Sequence, residues 1–142
     1  MCQFLSALVL RNGDVLHHPM LDSHADLVTY FKIHDTMEQR FAKVELTPVD
    51  WADVSTWKWR VDEPSIPEWF DAVAKKAETK IRAIAKAMIL SSGEHTLILD
   101  GCWILVGDVK VKDVRGGRIL RVQDTAQISG VGGSARISDV GG

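Results

Sequence analysis

The sequence is poor in the features that assign a protein at sight. It has two cysteines in 142 residues, Cys2 and Cys102, too few and too far apart for a disulfide framework or a thiolate metal site. It has no basic excess: 17 Lys and Arg against 19 Asp and Glu leave a net charge of −2. That makes nucleic acid an unlooked-for partner, since phosphate-binding domains carry a clear surplus of cations. No apolar run approaches the ~20 residues that span a bilayer, and the first eleven residues lack a basic n-region and a small-residue cleavage site. The expectation is a soluble cytoplasmic protein without a membrane partner. His17, His18, His24, His34 and His95 contain no H-x-x-x-H pair, and adjacent strand residues such as His17 and His18 point to opposite faces. Surface or hairpin packing is the expected role of these histidines, and neither metal nor cofactor is expected. Gly116-Gly117 and Gly132-Gly133 precede strands rather than helices and make no phosphate cradle. No Ser-His-Asp or paired-carboxylate spacing is legible along the chain.

What is present is an ordinary globular composition, 46% hydrophobic and 25% charged. A chain of this length buries roughly 70% of its unfolded surface without staples. Phe4 to Leu10 and Asp14 to Leu16 flank Asn12-Gly13, the signature of a two-residue hairpin turn with φ > 0 at both positions. Arg11 and Asp14 are then expected to face each other across it. Ser23 with Asp26 predicts a capped short helix running to His34-Asp35. Phe41 to Thr47 alternates as a strand, with Ala42, Val44 and Leu46 on the core face and Lys43, Glu45 and Thr47 on the other; Pro48 stops it. One helical turn is expected in Val49 to Val54. Trp57, Trp59 and Val61 then share a side opposite Lys58, Arg60 and Asp62.

Ser65-Ile66-Pro67-Glu68 reads as a capping box before a long amphipathic helix from about Pro67 to about Leu90. Phe70, Ala74, Ala77, Ile81, Ile84 and Met88 are expected to be buried, and the lysines and arginines of the remaining arc solvated. Ser91-Ser92-Gly93 should end it, with Gly93 as a left-handed cap.

After Gly93 helical spacing disappears and β-branched runs alternate with Gly and Asp. A nine-residue period emerges: Ile119, Ile128 and Ile137; Val122, Val131 and Val140; Ala126 and Ala135; Thr125 and Ser134. Val111 and Val114 form an earlier copy one residue out of step. Fixed-period similarity with glycine corners predicts stacked β-rungs, with Ile, Val and Ala turned inward. The expected fold is therefore α+β: residues 1–93 as a small sheet packed on one long amphipathic helix, and residues 94–142 as a short β-solenoid-like tract.

The run Gln127-Ile128-Ser129-Gly130-Val131-Gly132-Gly133-Ser134-Ala135-Arg136-Ile137 resembles a group of uncharacterised phage and prophage proteins. These pair a small N-terminal domain with long arrays of the Ser-Ala-x-Ile-x-x-Val pattern. Met1-Cys2-Gln3-Phe4-Leu5-Ser6-Ala7 and Pro67-Glu68-Trp69-Phe70-Asp71 resemble the same group. The resemblance implies a phage accessory protein in the host cytoplasm, with a host protein as partner and inhibition of a host defence system as one concrete form. It carries no mechanism. The array here is short and stops in mid-repeat at Gly142.

Three candidate sites follow. Without Met1, Cys2 would carry its own α-amine as a base, as in N-terminal nucleophile hydrolases; a spectator cysteine is the plainer expectation. Trp51, Trp57, Trp59 and Trp69, interleaved with Lys58 and Arg60, form either a binding surface for protein or bases or a packed core. Ile119, Val122, Ile128, Val131, Ile137 and Val140 are the expected interface of a homodimer, because an uncapped rung offers an open strand edge.

Overall fold

The computed structural model describes residues 4–33 and 39–138, and these fall into two compact units that divide between Ala85 and Lys86.

The N-terminal unit is built on a four-stranded antiparallel sheet. Its strands are β1 (Ser6–Leu10), β2 (Val15–Leu16), β3 (Phe41–Thr47) and β4 (Lys58–Val61), in the order β2-β1-β3-β4. The hairpin sits where expected, but its loop is Arg11-Asn12-Gly13. The Gly13 amide donates to the Leu10 carbonyl at 2.9 Å, the Leu10 amide to the Asp14 carbonyl at 2.8 Å, and Gly13 takes φ 86°. This is the three-residue type I turn with a left-handed closing glycine, so a single positive φ suffices. Asp14 turns to Asn12 (2.9 Å) and to Lys80 (3.5 Å) instead of pairing with Arg11 across a two-residue turn.

Helix α1 (His24–Phe31) begins on Ser23, whose hydroxyl accepts from the Asp26 amide, and Lys32 closes it at φ 56°. The expected end at His34-Asp35 lies outside the described residues. The α1 residue Leu27 packs with Leu8 and Phe41. Leu8 pairs with Lys43 across the β1–β3 ladder, so α1 covers the sheet face that carries Phe41, Lys43 and Glu45. The alternation in β3 therefore marks two buried faces, and Glu45, expected in solvent, is fully buried.

A 3-10 turn at Val54–Thr56 leads through Trp57 to β4. Along that strand Trp59 and Val61 are half-buried, while Lys58 and Arg60 are exposed. Helix α2 runs from Phe70 to Ala87 and buries Phe70, Ala77, Ile81 and Ala85; Ala74 and Ile84 are only half-buried. Its cations are not simply solvated. Lys76 donates to the Asn12 carbonyl (3.3 Å), and Arg82 donates to the carbonyls of Val54 (2.7 Å) and Trp57 (3.0 Å). These bonds cap backbone acceptors that no ladder reaches.

The helix stops before Leu90 because the chain joins a parallel ladder there. The Met88 carbonyl accepts from the Ile104 amide, and Ile89 pairs with Ile104. Ser91, Ser92 and Gly93 thus lie inside a strand. Gly93 does take φ 96°, but within β5 and not as a helix cap.

The C-terminal unit is a β-solenoid-like coil of about three turns, made of β5 (Ile89–Ile98), β6 (Cys102–Val114), β7 (Arg118–Val122), β8 (Gln127–Val131) and β9 (Arg136–Ile137). Every ladder in it is parallel. Ile137 stacks on Ile119, eighteen residues back, and Ile128 stacks on Val111, seventeen back. One nine-residue unit is therefore half a turn, and two units close a coil. Each rung has two sides, with β7 and β9 on one and β8 on the other. Stacking therefore links every second unit rather than adjacent ones. The imperfect copy at Val111 and Val114 is explained too, since earlier coils are shorter than eighteen.

Stacking builds the core. Ile98, Leu105, Val109, Val111, Val114, Ile119 and Val122 form one buried cluster, with Ala126, Ile128, Ala135 and Ile137 packed against it. Several corners leave no room for side chains. At Gly117 (φ 69°) a Cβ would sit 2.5 Å from the Gly101 carbonyl oxygen, and at Gly107 (φ 70°) 2.8 Å from that of Ser91. One inward expectation fails: Val131 is 56% exposed, although Val114 below it in register is completely buried.

Candidate functional site

The tryptophan segment does not form one stacking platform. Trp57 is 2% exposed, its indole N–H donates to the Asp50 carbonyl at 2.7 Å, and Trp51 meets it edge-on at 6.0 Å. Trp69 is held elsewhere by a 2.9 Å bond to the Gln39 carbonyl. The pleat of β4 puts Trp59 on one face and Lys58 and Arg60 on the other. A base stacked on Trp59 would therefore not meet those cations.

Of the expected interface residues, Ile119 and Val122 are interior to the coil, and Ile128 and Ile137 are half-buried against the same core. Only Val131 presents a large apolar surface. Cys2 and Val140 lie outside the described residues.

A site not anticipated lies under α1. The β3–β4 register places Arg60 opposite Glu45, and the ladder continues as the Asp62 amide donates to the Lys43 carbonyl at 2.8 Å. Lys43, Glu45, Arg60 and Asp62 thus share one sheet face. The first residue of α1, His24, is buried over that face. Its Nε2 lies 2.9 Å from the Val44 carbonyl oxygen; a carbonyl only accepts, so Nε2 is the donor of this bond. Nδ1 faces Asp62 Oδ2 at 3.5 Å. Arg60 reaches Glu45 Oε2 at 3.4 Å and Asp62 Oδ1 at 3.1 Å. One ligand atom from each of His24, Glu45 and Asp62 falls within 4.8 Å of the others.

His24 and Asp62 also line an open cleft of 520 Å³ with Ser23, Val28, Phe41 and Lys43. The surface-packing role expected of His24 is replaced by burial between helix and sheet. Spacing rules missed this cluster because its members come from three elements, 21 and 17 residues apart in turn. The nearest sequence signal is Ser23-His24, which starts a helix with an imidazole at its first residue.

The fold defines the class of the chain as an α+β protein with a C-terminal β-solenoid-like coil. No family model, curated protein or solved structure matches it, and no helix among the described residues is long and apolar enough to cross a membrane.

Proposed function

We propose that the protein is a non-enzymatic accessory protein of phage or prophage origin that acts by protein–protein contact, with the coil edge as its assembling surface. A second copy of the chain is its first partner. The observation that carries this reading is Val131. Ile98, Val114 and Val131 occupy one stacked column; the first two are buried and the third is exposed. Among the described residues β8 pairs with β6 alone, so no described strand covers its outer edge, which carries an apolar side chain. Such an edge is a template for another strand, and a like edge matches it in rise and chemistry. A two-fold operation closes the pair, whereas head-to-tail stacking continues it. The phage origin, the host cytoplasm and the action on a host defence protein rest on the resemblance at Gln127–Ile137.

Light scattering tests the reading. The expected mass is twice the 15.8 kDa of the chain, returning to one chain in Val131→Lys with an unchanged circular dichroism spectrum. A monomer at high micromolar concentration would overturn it.

A further inference from the structure

The geometry points to a divalent transition-metal site formed by His24 Nδ1 and the carboxylates of Glu45 and Asp62, with Zn2+ as the best-suited ion. Three observations meet here. The Nε2–H bond to the Val44 carbonyl fixes the ring orientation, with Nδ1 turned toward Asp62. This is the usual outer hydrogen bond of a metal-bound imidazole. Nδ1 lies 3.5 Å from an Asp62 carboxylate oxygen, and a deprotonated Nδ1 can share a metal ion with that oxygen. Tetrahedral Zn2+ with bonds of about 2.0–2.2 Å keeps its ligand atoms about 3.3–3.6 Å apart, so the His24–Asp62 separation already fits. Glu45 completes the three within 4.8 Å, and a side-chain rotation that closes up to about 1.2–1.5 Å brings it in.

The donor set selects the ion. One imidazole nitrogen and two carboxylate oxygens suit Zn2+ or Mn2+. Ca2+ takes six to eight oxygens, and Mg2+ keeps most of its waters. Three protein ligands leave a position open, and the cleft lined by His24 and Asp62 gives water or a small anionic ligand access to it.

Arg60 supplies the charge balance without a metal. It is the more loosely held member, with a side chain 61% exposed against 1% for Glu45. The guanidinium and the ion therefore compete for the same carboxylates. That competition separates a metal site from a structural ion-pair network.

The experiment is isothermal titration of chelator-treated full chain with Zn2+, Mn2+ and Mg2+, with Co2+ absorption as a coordination signature. One equivalent of Zn2+ is expected, bound at least about 100-fold more tightly than Mg2+. His24→Gln and Asp62→Asn should each weaken it by roughly 100-fold or more. Arg60→Ala should tighten it several-fold. Wild type and His24→Gln binding Zn2+ equally would assign the ion to other histidines and overturn the proposal. So would the absence of stoichiometric binding in a folded wild-type chain, or an Arg60→Ala chain, folded by circular dichroism, that binds no more tightly. Because the readout is metal affinity, it is independent of the oligomeric state tested above.

Discussion

The two units handle polar groups in opposite ways. Of the four buried polar or charged residues among those described, Ser6, His24 and Glu45 belong to the antiparallel unit and only Arg118 to the coil. The coil repeats one solution. Aliphatic residues stack on their equivalents every half-turn pair, corners are small, and the parallel ladder satisfies the backbone. The antiparallel unit uses single-occurrence pairings such as Glu45 with Arg60 and His24 with the Val44 carbonyl. A buried charge is costly unless paired, so such pairings are confined to positions that the sheet register defines. Buried polar pairings therefore concentrate where the fold is irregular, and repeated aliphatic stacking where it is periodic.

The contrast is tested most severely at Trp57. Its burial and its hydrogen bond to Asp50 occur once, with no neighbour equivalent to take over. Trp57→Ala should cost about 3–5 kcal/mol, read from the denaturant midpoint. A loss below about 1 kcal/mol would place this indole on the surface and restore it as a binding residue.

In the coil the cost should instead be graded by position. Ile119 lies between Trp103 and Ile137 in its stack and is fully buried, whereas Ile137 is half-buried. Ile119→Ala should cost about 2–4 kcal/mol and Ile137→Ala about 1 kcal/mol. Equal losses by the same measurement would break the nearest-neighbour description.

The smallest effect is electrostatic and lies in the antiparallel unit. The Asn12 amide, then Lys80, holds the Asp14 carboxyl below its ordinary value of 3.8. Ser55, through side chain and backbone, does the same for Asp53. Folded values below the unfolded ones mean that this stabilisation is complete above the ordinary carboxyl range. It is lost as pH falls through the lowered values beneath 3.8. Both groups are exposed, so the effect on stability is slight. Carboxyl NMR titration should give midpoints under 3.8, and Asn12→Ala should move that of Asp14 upward.

Much of the local structure was legible in the residues. A hairpin at Asn12-Gly13, the Ser23 cap, the β3 strand and the periodic tract all depend on neighbours within a few positions, where backbone preference and side-chain period act directly. The tertiary structure decided what those elements meet. The period of nine is written in the sequence, but Ile137 stacking on Ile119 rather than on Ile128 follows from the corner geometry that closes a coil after two units. The alternation in β3 names two faces, yet only α1 lying over one of them turns Glu45 from a solvated residue into a buried ligand candidate. His24, Glu45 and Asp62 share no local pattern, because their meeting is a matter of strand register and helix docking. Those are set by the summed burial of residues far apart in the chain.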